Sequence, residues 1–125
     1  MLNRLFLIGL FVCFNACGNA QNESVISTIN LKEFSKLTIG KDVQLIDLRT
    51  DKEFKNGTID DAIQMNYFAI NTFLKQIETL DKSKEVYVFC HSGSRSKRAS
   101  KLLAKKGFLK IYDFTGGWKE WSQPH

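Results

Sequence analysis

Val86-Tyr87-Val88-Phe89-Cys90-His91-Ser92-Gly93-Ser94-Arg95-Ser96 is the stretch on which the reading of this chain turns. Its first four residues are all β-branched or aromatic, the composition of a strand. A cysteine closes the run, a short polar loop with one glycine follows, and a basic helical pattern begins at Arg95. That order places a thiol at the C-terminal lip of a strand, against the N-terminus of a helix. The first backbone N–H groups of a helix are unpaired and its dipole is positive there, so an anion is stabilised. A cysteine in that field is expected to react as thiolate.

Four residues separate Cys90 from Arg95. A loop of that size can aim successive backbone N–H groups at its centre and form an anion nest. Gly93 permits the positive φ that a tight return needs. Ser92, Ser94 and Ser96 are expected to add hydroxyl donors, and Arg95 a planar cationic fork for an oxyanion. Cys90 reads as a nucleophile and the loop as its electrostatic cradle. A cysteine at a strand end is ordinarily a small buried hydrophobe, but a loop of small, polar and basic residues argues for a reactive one. His91 reads as an exposed loop residue contributing its backbone N–H rather than as a base.

Outward from this centre, strands and helices alternate. Strands are expected at Val25–Ile29, Val43–Leu48, Ala62–Tyr67, Glu85–Phe89 and Ile111–Phe114. Helices are expected at Leu31–Leu37 capped by Asn30, at Asp51–Lys55 closed by Asn56-Gly57, and from a cap at Asn71 through Leu80. A longer one follows over Arg95–Lys106, stopped by Gly107, and a last helical turn over Gly117–Trp121. This order predicts an α/β fold, a mostly parallel central sheet with helices on both faces. In such sheets ligands bind beyond the carboxyl ends of the strands, where Cys90 is expected.

The chain of 125 residues is one domain in size, with 43% apolar and 25% charged residues. Its first residues read differently. Asn3-Arg4 is a positive flank, Leu5–Phe14 an apolar run, and Ala16, Cys17 and Gly18 a small-residue end, the layout of a secretory signal. The domain plan is a cleaved signal over 1–16, a tether over 17–24 and the folded domain over 25–123. Phe14-Asn15-Ala16-Cys17 resembles a bacterial lipobox with Cys17 as the lipidated residue, although Phe14 and Asn15 depart from the usual pattern. Cleavage after Ala20 is the other reading. Both imply export, with a periplasmic protein held to the membrane only by a lipid at Cys17 in the first case. Both also leave Cys90 as the only thiol of the mature chain, because Cys13 leaves with the signal.

Arg4 is the only charge in the expected signal, so the net charge of +5 resides almost wholly in the domain. Lys97, Arg98, Lys101, Lys105 and Lys106 join Arg95 after the cysteine, a local field that draws small anions. No DNA-binding motif accompanies them, and nucleic acid is not an expected partner.

Three motifs now carry a resemblance. Leu45-Ile46-Asp47-Leu48-Arg49 with Glu53-Phe54, Gly57 and Ile59 comes first. The Cys90–Ser96 loop follows, and Phe114-Thr115-Gly116-Gly117-Trp118 with Trp121 is third. In that order they resemble a single-domain rhodanese from about Val25 to Trp121. The resemblance implies a sulfurtransferase: Cys90 takes a sulfane sulfur from thiosulfate or a persulfide and passes it to cyanide or to a thiol, that of an acceptor protein included. It implies that the N–H groups of His91, Ser92, Gly93, Ser94, Arg95 and Ser96 hold the added sulfur and that Arg95 helps bind the donor. Asp47 and Arg49 are implied to be structural, Trp118 and Trp121 to pack, and neither a metal nor an organic cofactor is implied.

Gly57-Thr58-Ile59-Asp60-Asp61-Ala62 departs from the family pattern by lacking a histidine, a proline and a second glycine. Asp60 and Asp61 would oppose an anionic donor if they lay near the mouth. Two other readings remain. One is a rhodanese-like module that only carries a persulfide or binds a partner. The other is a cysteine-dependent phosphatase, whose loop has one more residue between cysteine and arginine and whose general acid would have to be Asp60, Asp61 or Asp113.

Overall fold

The computed structural model describes residues 24–125. The expected signal and all but the last residue of the expected tether, Cys17 included, lie outside the described residues. Among the described residues no helix is long and apolar enough to cross a membrane.

Five strands form one sheet: β1 (Ile26–Ile29), β2 (Gln44–Asp47), β3 (Ile63–Gln64), β4 (Val86–Phe89) and β5 (Ile111–Phe114). Their spatial order is β1-β5-β4-β2-β3, and every neighbouring pair is parallel. The helices between them are α1 (Leu31–Thr38), α2 (Asp51–Lys55), α3 (Ile70–Gln76), α4 (Ser94–Lys105) and α5 (Gly117–Trp121). The central strand is β4, and all four of its residues are buried. A parallel strand covered on both faces has no solvent side, so its sequence is apolar without alternation.

Side chains of β4 alternate between two cores. Val86 and Val88 meet Phe73 and Ile77 of the α3 region and Ala99 and Leu103 of α4. Tyr87 and Phe89 face the other way, towards α1 and α5, where Phe34 and Phe114 stack at 4.3 Å between ring centroids. Phe34 is wholly enclosed there, with Phe89 and Trp121 edge-on to it. Burying one such side chain stabilises the fold by about 1.5–3 kcal/mol.

The helix starts follow local chemistry in two cases. Asn30 Oδ1 accepts the N–H of Glu33 at 2.9 Å. Thr50 and Glu53 form a reciprocal capping box at the start of α2. Asn71 does not cap α3. That helix begins two residues earlier, at Ile70, with Ala69 as its cap and no side-chain hydrogen bond, and Phe73 N–H bonds the Ala69 carbonyl at 2.8 Å. The enclosed Phe73 decides the start, and the exposed Asn71 falls inside the first turn. Beyond Gln76 the chain tightens into a single 3₁₀ turn over Ile77–Thr79 rather than continuing to Leu80.

The strand expected at Ala62–Tyr67 shrinks to two residues. The chain still bonds the end of β2 through Met65 and Tyr67 N–H groups, but Asn66 Oδ1 accepts the Phe68 N–H at 3.0 Å and turns it off the edge.

Candidate active site

The ends of β2, β4 and β5 meet at one edge of the sheet, and each is followed by a piece of the site. Cys90 follows β4 and is buried, 1% exposed. The chain reverses at Gly93, whose φ of +102° lies in the left-handed region, and enters α4. Two backbone N–H groups converge on the sulfur: Gly93 N–H at 3.2 Å and Ser96 N–H at 3.4 Å from Sγ. Both belong to the unpaired amides at a helix start, so the sulfur sits where partial positive charge is concentrated.

The back of the loop is held by α5. Trp118 and Lys119 donate their N–H groups to the carbonyls of Cys90 and His91, each at 2.9 Å. This turns those carbonyls away from the sulfur and leaves the amides facing it. Gly117, with φ +59° and no Cβ to meet the Cys90 and His91 carbonyls, lets α5 approach that closely.

Among the expected loop donors, only the amides of Gly93 and Ser96 reach the sulfur. His91, Ser92 and Ser94 are exposed. The Ser96 hydroxyl donates to the Gly93 carbonyl at 3.2 Å, bracing the turn instead of serving the thiol.

Arg95 does not stand free. Its guanidinium makes two hydrogen bonds to Glu53, Nη1 to Oε1 at 2.7 Å and Nη2 to Oε2 at 3.1 Å. The Phe68 ring lies over it at 4.9 Å. Glu53 is itself fixed, because its Oε1 also accepts the Thr50 N–H and hydroxyl. The Arg95 hydrogen bond holds the Glu53 carboxyl at about 2, against a usual 4.5, and outweighs the opposing effect of partial burial. Reciprocally, Glu53 raises the Arg95 pKa. The Thr50-x-x-Glu53 capping pattern is visible in the sequence, but its second use across 42 residues is not.

Asp47 and Arg49 form a buried ion pair at 2.7 Å. Arg49 also donates to the Gly57 carbonyl at 2.6 Å, and Thr58 donates its hydroxyl to Asp47 at 2.7 Å. The guanidinium lies 4.6 Å from the Trp118 ring and 5.9 Å from that of Phe89. This pair ties β2, the Gly57 turn and α5 together beneath the loop. Trp118 and Trp121 pack on the α1 side of the sheet.

Asp60 lies away from the mouth. Its Oδ2 accepts the Gly40 N–H at 2.8 Å, in the turn that leads into the start of β2. Asp113 sits on β5 facing α4, 2% exposed, and its Oδ1 has no hydrogen-bond partner. Burial raises its pKa, with Ser96 and Lys97 pulling the other way. A cavity of about 330 Å³ beside Asp113 also touches Gly93 and Lys97.

The comparisons agree with this arrangement. The family model of the rhodanese-like domain matches residues 30–124. The chain is 30% identical over 95 residues to the thiosulfate sulfurtransferase GlpE of Shewanella oneidensis, covering 76% of this chain and 91% of that protein. It is 38% identical over 96 residues to the putative sulfurtransferase YtwF of Bacillus subtilis, covering 77% and 87%. The rhodanese-like domain protein of Staphylococcus aureus superimposes with a TM-score of 0.65 at 28% identity, covering 76% of this chain and 90% of that structure. The parallel sheet, the thiol loop at its carboxyl edge and these matches lead to one statement: this chain belongs to the rhodanese-like family.

Proposed function

We propose that the protein is a sulfurtransferase that moves a sulfane sulfur from thiosulfate or a persulfide to a thiophilic acceptor, cyanide or a thiol, through a persulfide on Cys90. The observation that carries the reading is the convergence of the Gly93 and Ser96 amides on Sγ at 3.2 and 3.4 Å. Donors fixed by a helix start stabilise a sulfur anion without any reorganisation at the moment of reaction. A family match by itself specifies a fold and not a chemistry, so the support is this geometry together with relatives described as sulfurtransferases.

In the first half-reaction the thiolate attacks the outer sulfur of the donor. With thiosulfate the S–S bond breaks, sulfite leaves with the bonding pair, and a persulfide anion remains on Cys90. In the second, the acceptor attacks that outer sulfur and the Cys90 thiolate is regenerated. No electrons are gained or lost overall.

Purified protein given thiosulfate and cyanide should form thiocyanate and show a mass gain of one sulfur atom on Cys90, both lost in Cys90→Ser. A persulfide that forms but is not turned over would identify a carrier instead. Phosphate release from an aryl phosphate without any persulfide would overturn the reading.

Export and lipidation at Cys17 are part of the same proposal, supported by the sequence of residues 1–20 alone. Cys17→Ala should release the protein from membranes, whereas an unchanged distribution would favour cleavage after Ala20.

A further inference from the structure

Taking the sulfurtransferase reading as its basis, we propose that Glu53, Arg95 and Phe68 act together as a donor selector, disfavouring thiosulfate and favouring a hydropersulfide, R–S–SH, with an apolar group R. The positive charge beside the thiol is already spent. Glu53 takes one N–H from each terminal nitrogen of Arg95, and the Arg95 side chain is only 14% exposed. The carboxylate cannot easily swing aside, because the capping box of α2 holds it through Thr50. A compact dianion entering here meets a neutral pair whose carboxylate half repels it.

The third member supplies attraction of another kind. Phe68 lies over Arg95 on one side and is 63% exposed, the second most exposed large apolar side chain among the described residues. It follows the Asn66 turn that lifts the chain off the sheet edge, so the ring is held at the rim instead of packing in a core. An apolar substituent beside the donor sulfur gains contact area on that ring. The transfer then balances as Cys90–S⁻ plus R–S–SH giving Cys90–S–S⁻ plus R–SH. The donor S–S bond breaks, the R–S sulfur keeps the bonding pair, and it takes the proton.

The test compares rates of Cys90 persulfide formation, followed by intact mass, for the full chain with benzyl hydropersulfide and with thiosulfate. The wild type should load from the hydropersulfide at least roughly tenfold faster at equal concentration. Glu53→Gln keeps the capping box, since glutamine serves at that position, and should narrow the ratio about tenfold by accelerating thiosulfate. Phe68→Ala should narrow it by roughly threefold by slowing the hydropersulfide. A wild-type preference for thiosulfate, or a ratio that neither variant moves, overturns the selector and leaves the sulfurtransferase reading standing. Loading from neither donor overturns both.

Discussion

Gly117 lies so close to Cys90 that a Cβ on it would stand 2.5 Å from the Cys90 carbonyl oxygen and 2.6 Å from that of His91. Its φ of +59° is also one that side chains rarely adopt. Gly117→Ala must therefore push the loop and α5 apart. The expected cost is about 1–3 kcal/mol of stability. Misaligned amides should slow alkylation of Cys90 by at least roughly tenfold, read by peptide mass mapping.

Arg49→Met should destabilise far more. It strands the carboxylate of Asp47 in a region with no solvent, and a broken buried pair typically costs about 3–5 kcal/mol. Arg49→Lys keeps the charge but loses the paired hydrogen bonds to Asp47 and the bond to Gly57, so an intermediate loss of about 1–3 kcal/mol is expected. Urea melts of the three proteins give the order directly.

The Glu53–Arg95 pair has a defined pH signature. The Glu53 carboxyl titrates at about 2 in the fold against 4.5 ordinarily. Its contribution is thus complete above pH 4.5 and is lost as pH falls through about 2. Because the side chain is 30% exposed, the difference between wild type and Glu53→Gln should reach only about 1 kcal/mol. Paired denaturant curves should converge at the acid end.

Asp113 behaves in the opposite sense. Burial raises its pKa above 3.8, so its unfavourable contribution grows as pH rises from 3.8 through the raised value. Asp113→Asn removes that dependence and should stabilise the protein at neutral pH by about 1 kcal/mol, with little gain at pH 3. Equal stabilisation at both pH values would show that the charge is not responsible.

The sequence made the centre of this molecule legible because its signals there are local. Four apolar residues, a cysteine, a glycine and a basic helix occupy consecutive positions, and Asn30 caps the helix that follows it. Asn71 misled because the start of α3 is chosen by the burial of Phe73, a tertiary effect. The strand expected at Ala62–Tyr67 is only Ile63–Gln64 in the fold because an edge strand lacks a second neighbour to keep it straight. Arg95 was legible as a cation beside the thiol but not as one already engaged, since its partner lies 42 residues earlier. The role of Phe68 was equally hidden, since an aromatic in a loop carries no sign of what it covers. Whether Asp60 lies near the mouth was not legible, because position along a chain does not say to which end of a sheet a turn belongs.

The contacts of α5 with the Cys90 loop also set an order of assembly. The carbonyls of Cys90 and His91 are tied down by amides of Trp118 and Lys119, each 28 residues further along the chain. A chain still being synthesised carries the thiol before it carries the clamp. During that interval no α5 amide holds the Cys90 and His91 carbonyls, and the orientation of the loop is fixed only when α5 arrives. Docking of α5 is therefore the step that finishes the cradle around the sulfur.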